Sequence, residues 1–442
     1  MRAPHTRPVS TPDVHVVGID SGRSHTCWPS NAILVQSMTD RGSENTRTDS
    51  AAIVFASVVN GLAAYAVVVV VSRAYDEVDF AAFSVAWSIW ALAVALLVFP
   101  IQNWIIWRST IDSGTAAVRR SLPRVIALVS LVLGVLFLAG SSSRLCPEGE
   151  IWPQVLLAIG ASSAVLGFAR GLLAGTGRYR AVAFIIGAEN VIRLGVVALV
   201  VRSTPSPEAA ALALSAGLIV LIPFVGQLRM DRAVSPRPVR VVAELGSLAG
   251  ATALAQTLVQ FPPAYAEWLG ESPATVSALF ATFAIGRAPI LILLALTTRL
   301  TEPLTRLLSR TSRDQVVVLR RALLWFGGVL IVTYLSGLTV GPDVVAWFFG
   351  EGRALSGSDT ALVALGLGMA MGGVLAILVL LGLNASGLAT VYWLAGVVCA
   401  VALGATGVGL PAAFVVGEAL PTIAAVFTIR NLWRRRVDPG VR

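Results

Sequence analysis

The sequence predicts an all-α protein that crosses a membrane about twelve times, in two six-helix lobes with both termini cytoplasmic. Three observations predict it. Of 442 residues, 56% are hydrophobic and 13% charged, about half the charge a water-facing surface needs. The apolar residues fall in long unbroken runs without the two-residue alternation of barrel strands, and hydrocarbon admits only helices and closed barrels. Finally, arginines concentrate in alternate loops.

Residues 1–49 are polar and rich in Ser, Thr, Arg and His, with no apolar run to serve as a signal peptide. They are expected to form a disordered cytoplasmic tail, and Met38, shortly before the first span, is a candidate start of translation. Apolar segments follow near 50–72, 80–106, 123–141, 152–173, 180–201, 208–228, 243–266, 274–298, 322–340, 359–383, 388–406 and 408–429. Each is long enough to cross about 30 Å of hydrocarbon. Breakers separate them, among them Asp76-Glu77, Pro123, Pro147, Pro207, Pro236 with Pro238, Gly341-Pro342 and Pro411. The division is a first lobe over 50–229, a cytoplasmic linker over 230–242, a second lobe over 243–430 and a basic cytoplasmic tail over 431–442.

Loop charge tests the count. With the N-terminus inside, inward loops and the C-terminal tail hold 20 arginines, such as Arg119, Arg178, Arg232, Arg310 and Arg434. The opposite loops hold four, Arg73, Arg144, Arg202 and Arg353, among acids such as Asp76, Glu77, Asp79 and Asp343. One helix too many or too few would scramble that alternation, which is the positive-inside pattern. It assigns the chain to the inner (cytoplasmic) membrane. Trp104, Trp107 and Trp433 fall near inner boundaries, and Trp152, Trp268 and Trp347 near outer ones, as an aromatic belt requires.

All 33 basic residues are arginine, a bias that GC-rich codon usage explains. The basic balance sits in topology-setting loops and not on a nucleic-acid-binding face. Cys27, Cys146 and Cys399 have no metal spacing, and one outer cysteine alone cannot form an intramolecular disulfide. There is no phosphate-binding G-x-x-x-x-G-K-[ST] loop and no lysine to complete one. No cofactor is indicated, and the longest outer loop, about 341–358, has no histidine for enzyme chemistry.

Charges inside hydrocarbon cost at least about 2.5–3.5 kcal/mol each and therefore face a partner or a cavity. Four fall near mid-depth: Glu189 and Arg193 in the fifth segment, Arg287 in the eighth and Glu418 in the twelfth. Arg170 lies near enough to the inner surface to snorkel. Glu189 and Arg193 share a helix face and neutralise one another, either as a packed interface or with Arg193 lending charge to a cavity. Arg287 has no acid on its own helix. It either pairs across helices, with Glu418 the candidate, or grips a phosphate through two parallel donors. Pro421 frees a carbonyl one turn back, near Glu418, which makes Glu418 a candidate proton or cation site. Asn60, Gln256 and Gln260 join helices or line the cavity.

The two halves show weak self-similarity. Gly171-Leu172-Leu173-Ala174-Gly175-Thr176-Gly177 is similar to Leu381-Gly382-Leu383-Asn384-Ala385-Ser386-Gly387, and Ala82-Phe83 to Leu279-Phe280. Helices one and seven run the same way, as in a parallel repeat. The turn Ser72-Arg73-Ala74 through Phe80, the junction Arg170 through Arg180, the stretch Phe280 to Pro289 with Glu302-Pro303-Leu304-Thr305-Arg306, and Val344 to Gly350 resemble the polysaccharide (Wzx-type) branch of the multidrug/oligosaccharidyl-lipid/polysaccharide exporter superfamily. The resemblance spans roughly residues 50–430. It departs in an acidic first turn without glycine, and it lacks the two further helices typical of lipid II flippases.

The resemblance implies a flippase that exports a lipid-linked anionic oligosaccharide, or a related envelope precursor, by rocking two lobes about a central site. Arg287, Arg193, Asn60, Gln256 and Gln260 would bind substrate, and Glu418 and Glu189 would couple ions. Envelope glycosyltransferases or a polymerase would be its partners. The alternative is a proton- or sodium-coupled drug or metabolite antiporter of the same superfamily, and a homologue that only recruits envelope-synthesis proteins stays open.

Overall fold

In the computed structural model, residues 43–111, 115–142, 151–203, 206–230, 241–287, 289–290, 293, 313–383 and 385–437 are described. Most of the N-terminal tail with Met38 and Cys27, nearly all of the linker, the loop with Arg144 and Cys146, the exit of the eighth segment with Glu302 to Arg306, and residues 438–442 lie outside them. Among the described residues all regular structure is helical, and Asp49–Arg442 forms one compact unit.

The helices are α1 (Ser43–Ala74), α2 (Glu77–Ala93, a π-helical turn at Val94–Val98, then Phe99–Ile111), α3 (Ala116–Gly140), α4 (Trp152–Gly175), α5 (Tyr179–Ser203) and α6 (Pro207–Ala213, then a 3-10 stretch at Leu214–Gln227). There follow α7 (Val241–Gln260, resuming at Pro262–Leu269), α8 (273–287), α9 (Arg313–Thr339), α10 (Gly341–Phe349), α11 (Gly357–Gly382), α12 (Ser386–Ala405) and α13 (Leu410–Val437). Among the described residues nine helices are long and apolar enough to span a membrane, and a bent α9–α10 pair makes ten. The helices fall on all twelve expected segments, with α7 on the seventh and α8 on the described part of the eighth.

Local chemistry sets the boundaries. Asp76 caps α2 by accepting from the Asp79 amide at 2.9 Å, with Glu77 and Asp79 on the positive end of the helix dipole. Ser206 caps α6 in the same way, accepting from Ala209 N at 3.2 Å, ahead of Pro207. Pro100 cannot donate to Leu96, and the ladder of α2 widens into a π turn just there. In α7, Pro262 and Pro263 withdraw the donors that would have reached Leu258 and Val259, so the helix breaks at Phe261. Gly270, at φ 81°, ends α7 in the left-handed conformation, and Glu271 N bonds back to Ala266 O at 3.1 Å.

The loop expected over 341–358 instead opens with α10, bent 61° from α9. Pro342 in its first turn starts it, and Gly350 and Gly352, at φ 102° and 91°, turn the chain out of it.

In the first lobe α2 and α4 are central, with 72% of their apolar windows buried, whereas α3, at 11%, lies at the lipid face. In the second, α11 and α13 pack together and α9 and α12 flank them. This arrangement corrects two aromatic-belt assignments. Trp104 and Trp152 are enclosed in the core, because a residue near the membrane boundary on a central helix meets protein and not lipid. Trp268 and Trp347 are exposed as expected.

Close helix contact depends on glycine at many positions, of which Gly167 is a clear case because the neighbour is backbone. A Cβ on Gly167 of α4 would stand 2.7 Å from Val98 Cα and 2.8 Å from Val98 O, at the π turn of α2. Gly134 in α3 has nothing within 4 Å of the same point. Gly167→Ala is therefore expected to destabilise by about 1–3 kcal/mol and to lower the unfolding temperature in detergent, while Gly134→Ala leaves it unchanged or higher. Equal responses from the two variants would remove the close-packing account.

Candidate functional site

Most of the candidate residues fall in two clusters, one per lobe. In the first lobe, Glu189 and Arg193 lie one turn apart on α5, and their Oε1–Nη1 distance is 2.5 Å. The expected pair forms, but it has a third member. Arg170 of α4 reaches Glu189 Oε2 through its Nη2. It was expected to snorkel toward the inner surface; instead it is 7% exposed and turned inward, because α4 is central and offers no lipid-facing path. Two guanidinium groups thus share one carboxylate.

Arg193 is locked further. Its Nε donates to Leu214 O at 2.6 Å and its Nη1 to Asn190 Oδ1 at 2.6 Å. Its guanidinium lies 4.8 Å from the Trp90 ring centroid. Leu214 is where α6 changes from α to 3-10 winding, and Gly217 makes room there, since a Cβ at that position would meet Arg193 Nη2 at 2.6 Å. Asn190 Nδ2 donates to Asn60 O at 3.3 Å, and Asn60 Oδ1 is unpartnered among the described residues. Asn60, Glu189 and Arg193 are thus brought together, joined by Arg170, Asn190 and Trp90. The site is a packed interior of α1, α2, α4, α5 and α6. Arg193 is enclosed in it, at 1% exposed.

The second cluster is built on the break in α7. Arg287, near the end of α8, donates from Nε to Val259 O at 3.1 Å and from Nη2 to Gln260 O at 3.4 Å. Val259 O is a carbonyl that Pro263 leaves without a donor. Arg287 also stands over the rings of Phe283 and Phe280, at 5.4 and 5.9 Å. Gln260 Nε2 donates to Gln256 Oε1 at 3.4 Å, both side chains buried. The three expected residues Arg287, Gln256 and Gln260 do meet, and Arg287 Nη1 stays unpartnered among the described residues.

Glu418 was a candidate partner for Arg287, but no ion pair joins them. Glu418 is 0% exposed, and neither carboxyl oxygen has a hydrogen-bond partner among the described residues. It lies on the face of α13 that carries Phe414 one turn before and Thr422 one turn after. Phe414 packs on Phe283 with ring centroids 4.7 Å apart, and Thr422 donates to Met369 O at 3.4 Å. The adjoining Gly417 packs against Leu258. Arg287 of α8 and Gly417 of α13 thus reach the same turn of α7, at Val259 and Leu258, while Arg287 and Glu418 do not pair with each other. A cleft of about 40 Å³ opens there between α7, α12 and α13, lined by residues that include Leu258, Phe261, Pro262, Ala413 and Phe414. It has room for about one water. No grouping of His, Cys, Asp or Glu among the described residues suits a metal.

Neither a protein-family model nor a curated relative matches the sequence. Solved structures do match. An inward-facing multidrug resistance MATE-family transporter of the MOP superfamily aligns at TM-score 0.62 and 15% identity, over 87% of this chain and 96% of that one. An outward-facing structure of such a transporter aligns at TM-score 0.56 and 16% identity, over 90% and 97%. The Vibrio cholerae MATE transporter VcmN, in its bent form, aligns at TM-score 0.54 and 14% identity, over 89% and 97%. The chain has the MATE fold. That fold supplies the two lobes expected from the repeat.

Within the MATE fold the Arg170–Glu189–Arg193 cluster ties four helices of one lobe together. Removing one partner of a buried ion pair leaves uncompensated charge and costs about 3–5 kcal/mol. Glu189→Ala, which strands two guanidinium groups, is expected to lower the unfolding temperature more than Arg170→Met, which leaves Glu189 and Arg193 paired. Equal losses in a thermal-unfolding comparison would mean that the carboxylate is not the hub.

Proposed function

We propose that the chain is a secondary transporter of the inner membrane, with cytoplasmic termini, that exports an amphipathic substrate by alternating access and couples export to a proton at Glu418. Glu418 carries this reading: a fully buried carboxyl without a partner among the described residues, on the helix that packs against the break in α7. An isolated carboxylate in such surroundings is costly, and the neutral acid far less so. Proton exchange there changes the charge of a low-dielectric interior beside a helix already interrupted by two prolines. Glu189, clamped by two guanidinium groups, is the poorer choice for coupling than the sequence suggested. The MATE fold supports alternating access of two lobes, and no ATP-binding motif offers another energy source.

For the substrate, Arg287 favours the lipid-linked anionic oligosaccharide, because its unpartnered Nη1 is a charge-assisted donor held in place by two backbone bonds. Gln256 and Gln260 beside it suit sugar hydroxyls, and envelope glycosyltransferases or a polymerase would then supply and consume the cargo. The second reading, a proton-coupled drug antiporter, is favoured by the multidrug transporters that share the fold.

Purified protein in proteoliposomes separates these. With a fluorescent polyprenyl-diphosphate glycolipid as probe, an imposed pH gradient is expected to drive transbilayer movement, which Glu418→Gln abolishes. Ethidium replaces the glycolipid as the probe of the antiporter reading. Gradient-driven movement of either probe that survives Glu418→Gln would overturn proton coupling there. Arg287→Lys, which keeps charge near the α7 carbonyls but loses the planar fork, is expected to cut glycolipid movement at least tenfold with little change in unfolding temperature. Wild-type rates for that variant would remove Arg287 from substrate recognition.

A further inference from the structure

Two arginines outside the spans are engaged in a way that neither the sequence reading nor the proposed transport step uses. Both lie on the face that loop charge assigns as outer. Arg73, at the end of α1, donates from Nη2 to Trp347 O at 2.6 Å and from Nε to Phe348 O at 3.1 Å. Those are terminal carbonyls of α10, which have no donor within their own helix. Arg353, just past α10, does the reverse. Its Nη1 donates to Ser72 O and, at 3.3 Å, to Phe349 O, and its Nη2 donates to Tyr75 O at 2.6 Å and Asp76 O at 3.4 Å. Its guanidinium lies 4.5 Å from the Phe80 ring centroid. Gly350 and Gly352 turn the chain back so that Arg353 can reach α1.

Each arginine thus caps the C-terminus of a helix in the other lobe, where a cation also meets the negative end of the helix dipole. Arg353 is buried, which works against its charged form, while Glu77 and Asp76 favour it. Other contacts bridge the same seam. Tyr65 of α1 meets Phe348 and Phe349 edge-on at 5.3 and 6.0 Å, and Phe80 of α2 meets Phe280 of α8 at 5.7 Å. Ser277 Oγ of α8 donates to Glu77 O at 3.0 Å.

We propose that Arg73 and Arg353 form a reciprocal clasp that holds the two lobes shut at this end, and that opening toward this face requires both helix termini to lose their arginine caps. The proposal rests on the alternating-access reading. Backbone carbonyls suit such a latch, since they accept bonds at any pH and leave no stranded carboxylate once released. Solvated arginine and solvated helix termini are the open state, so only a modest difference in energy separates open from closed.

The test reads opening and not transport. The full chain, with its three cysteines replaced by serine, is placed in lipid nanodiscs with a single thiol introduced by Ser84→Cys. Ser84 lies one turn below Phe80 on α2 and is 0% exposed. Arg73→Ala and Arg353→Ala are each expected to speed maleimide labelling of that thiol about tenfold, with a smaller rise for Arg353→Lys. A thiol introduced by Ser109→Cys, buried at the opposite end of α2, should show no such rise. Selective acceleration in either alanine variant supports the clasp. Unchanged labelling in both, or equal acceleration at both thiols, overturns it. Gradient-driven movement that survives Glu418→Gln, with selective acceleration intact, would sink proton coupling at Glu418 and leave the clasp standing.

Discussion

A backbone carbonyl inside hydrocarbon has no water to fall back on, so every departure from regular α-helix must be answered by a donor from the protein. In this chain arginine gives the answer repeatedly. Arg193 bonds to Leu214 O, where α6 changes its winding, and Arg287 to Val259 O, which Pro263 leaves unpaired. At the membrane edge Arg73 and Arg353 do the same for the open ends of α10 and α1. A guanidinium suits this work because its donors fan out in one plane and serve two or three carbonyls together, which an ammonium cannot do from one position. The exclusive use of arginine thus has a structural consequence, whatever its genomic origin.

The same observation separates fold from function among the buried charges. Arg170, Glu189 and Arg193 are ion-paired with one another, and Arg193 also bonds to Leu214 O, although Arg170 Nε and Arg193 Nη2 have no hydrogen-bond partner among the described residues. Their enclosure by α2, α4, α5 and α6 makes them cohesive elements of one lobe. Among the described residues Arg287 is only part-satisfied, and Glu418 is not satisfied at all. Arg287 sits on the turn of α7 whose carbonyl Pro263 has freed, and Glu418 is carried by a helix packed against that turn. A buried charge paired with its opposite holds a structure still. One that lacks a partner is where a change of protonation or a ligand alters the balance.

The span pattern was legible because hydrophobicity and loop charge act along the chain, and both survive without tertiary information. The break in α7 is written in Pro262-Pro263, but a proline pair near the end of an apolar run reads as its boundary. The helix α10 is hidden in the sequence because nine residues starting Gly341-Pro342 look like a loop. Arg170 was assigned to snorkel because axial depth is visible in sequence and azimuth is not; Trp104 and Trp152 were misplaced for the same reason. The joining of Gln256, Gln260 and Arg287 was foreseen only as shared polarity. What actually unites them, a proline-freed carbonyl, needed the structure.

The long 3-10 stretch of α6 changes the geometry of its crossing. Such a helix rises about 2.0 Å per residue against 1.5 Å in an α-helix. Fourteen residues wound this way extend roughly 7 Å farther than they would otherwise. With only 21 residues from Pro207 to Gln227, the segment covers a distance for which an ordinary helix would need about 26. It is stretched thin, with fewer side chains per ångström of depth than any neighbour, and a bilayer of greater thickness would be matched here without added sequence.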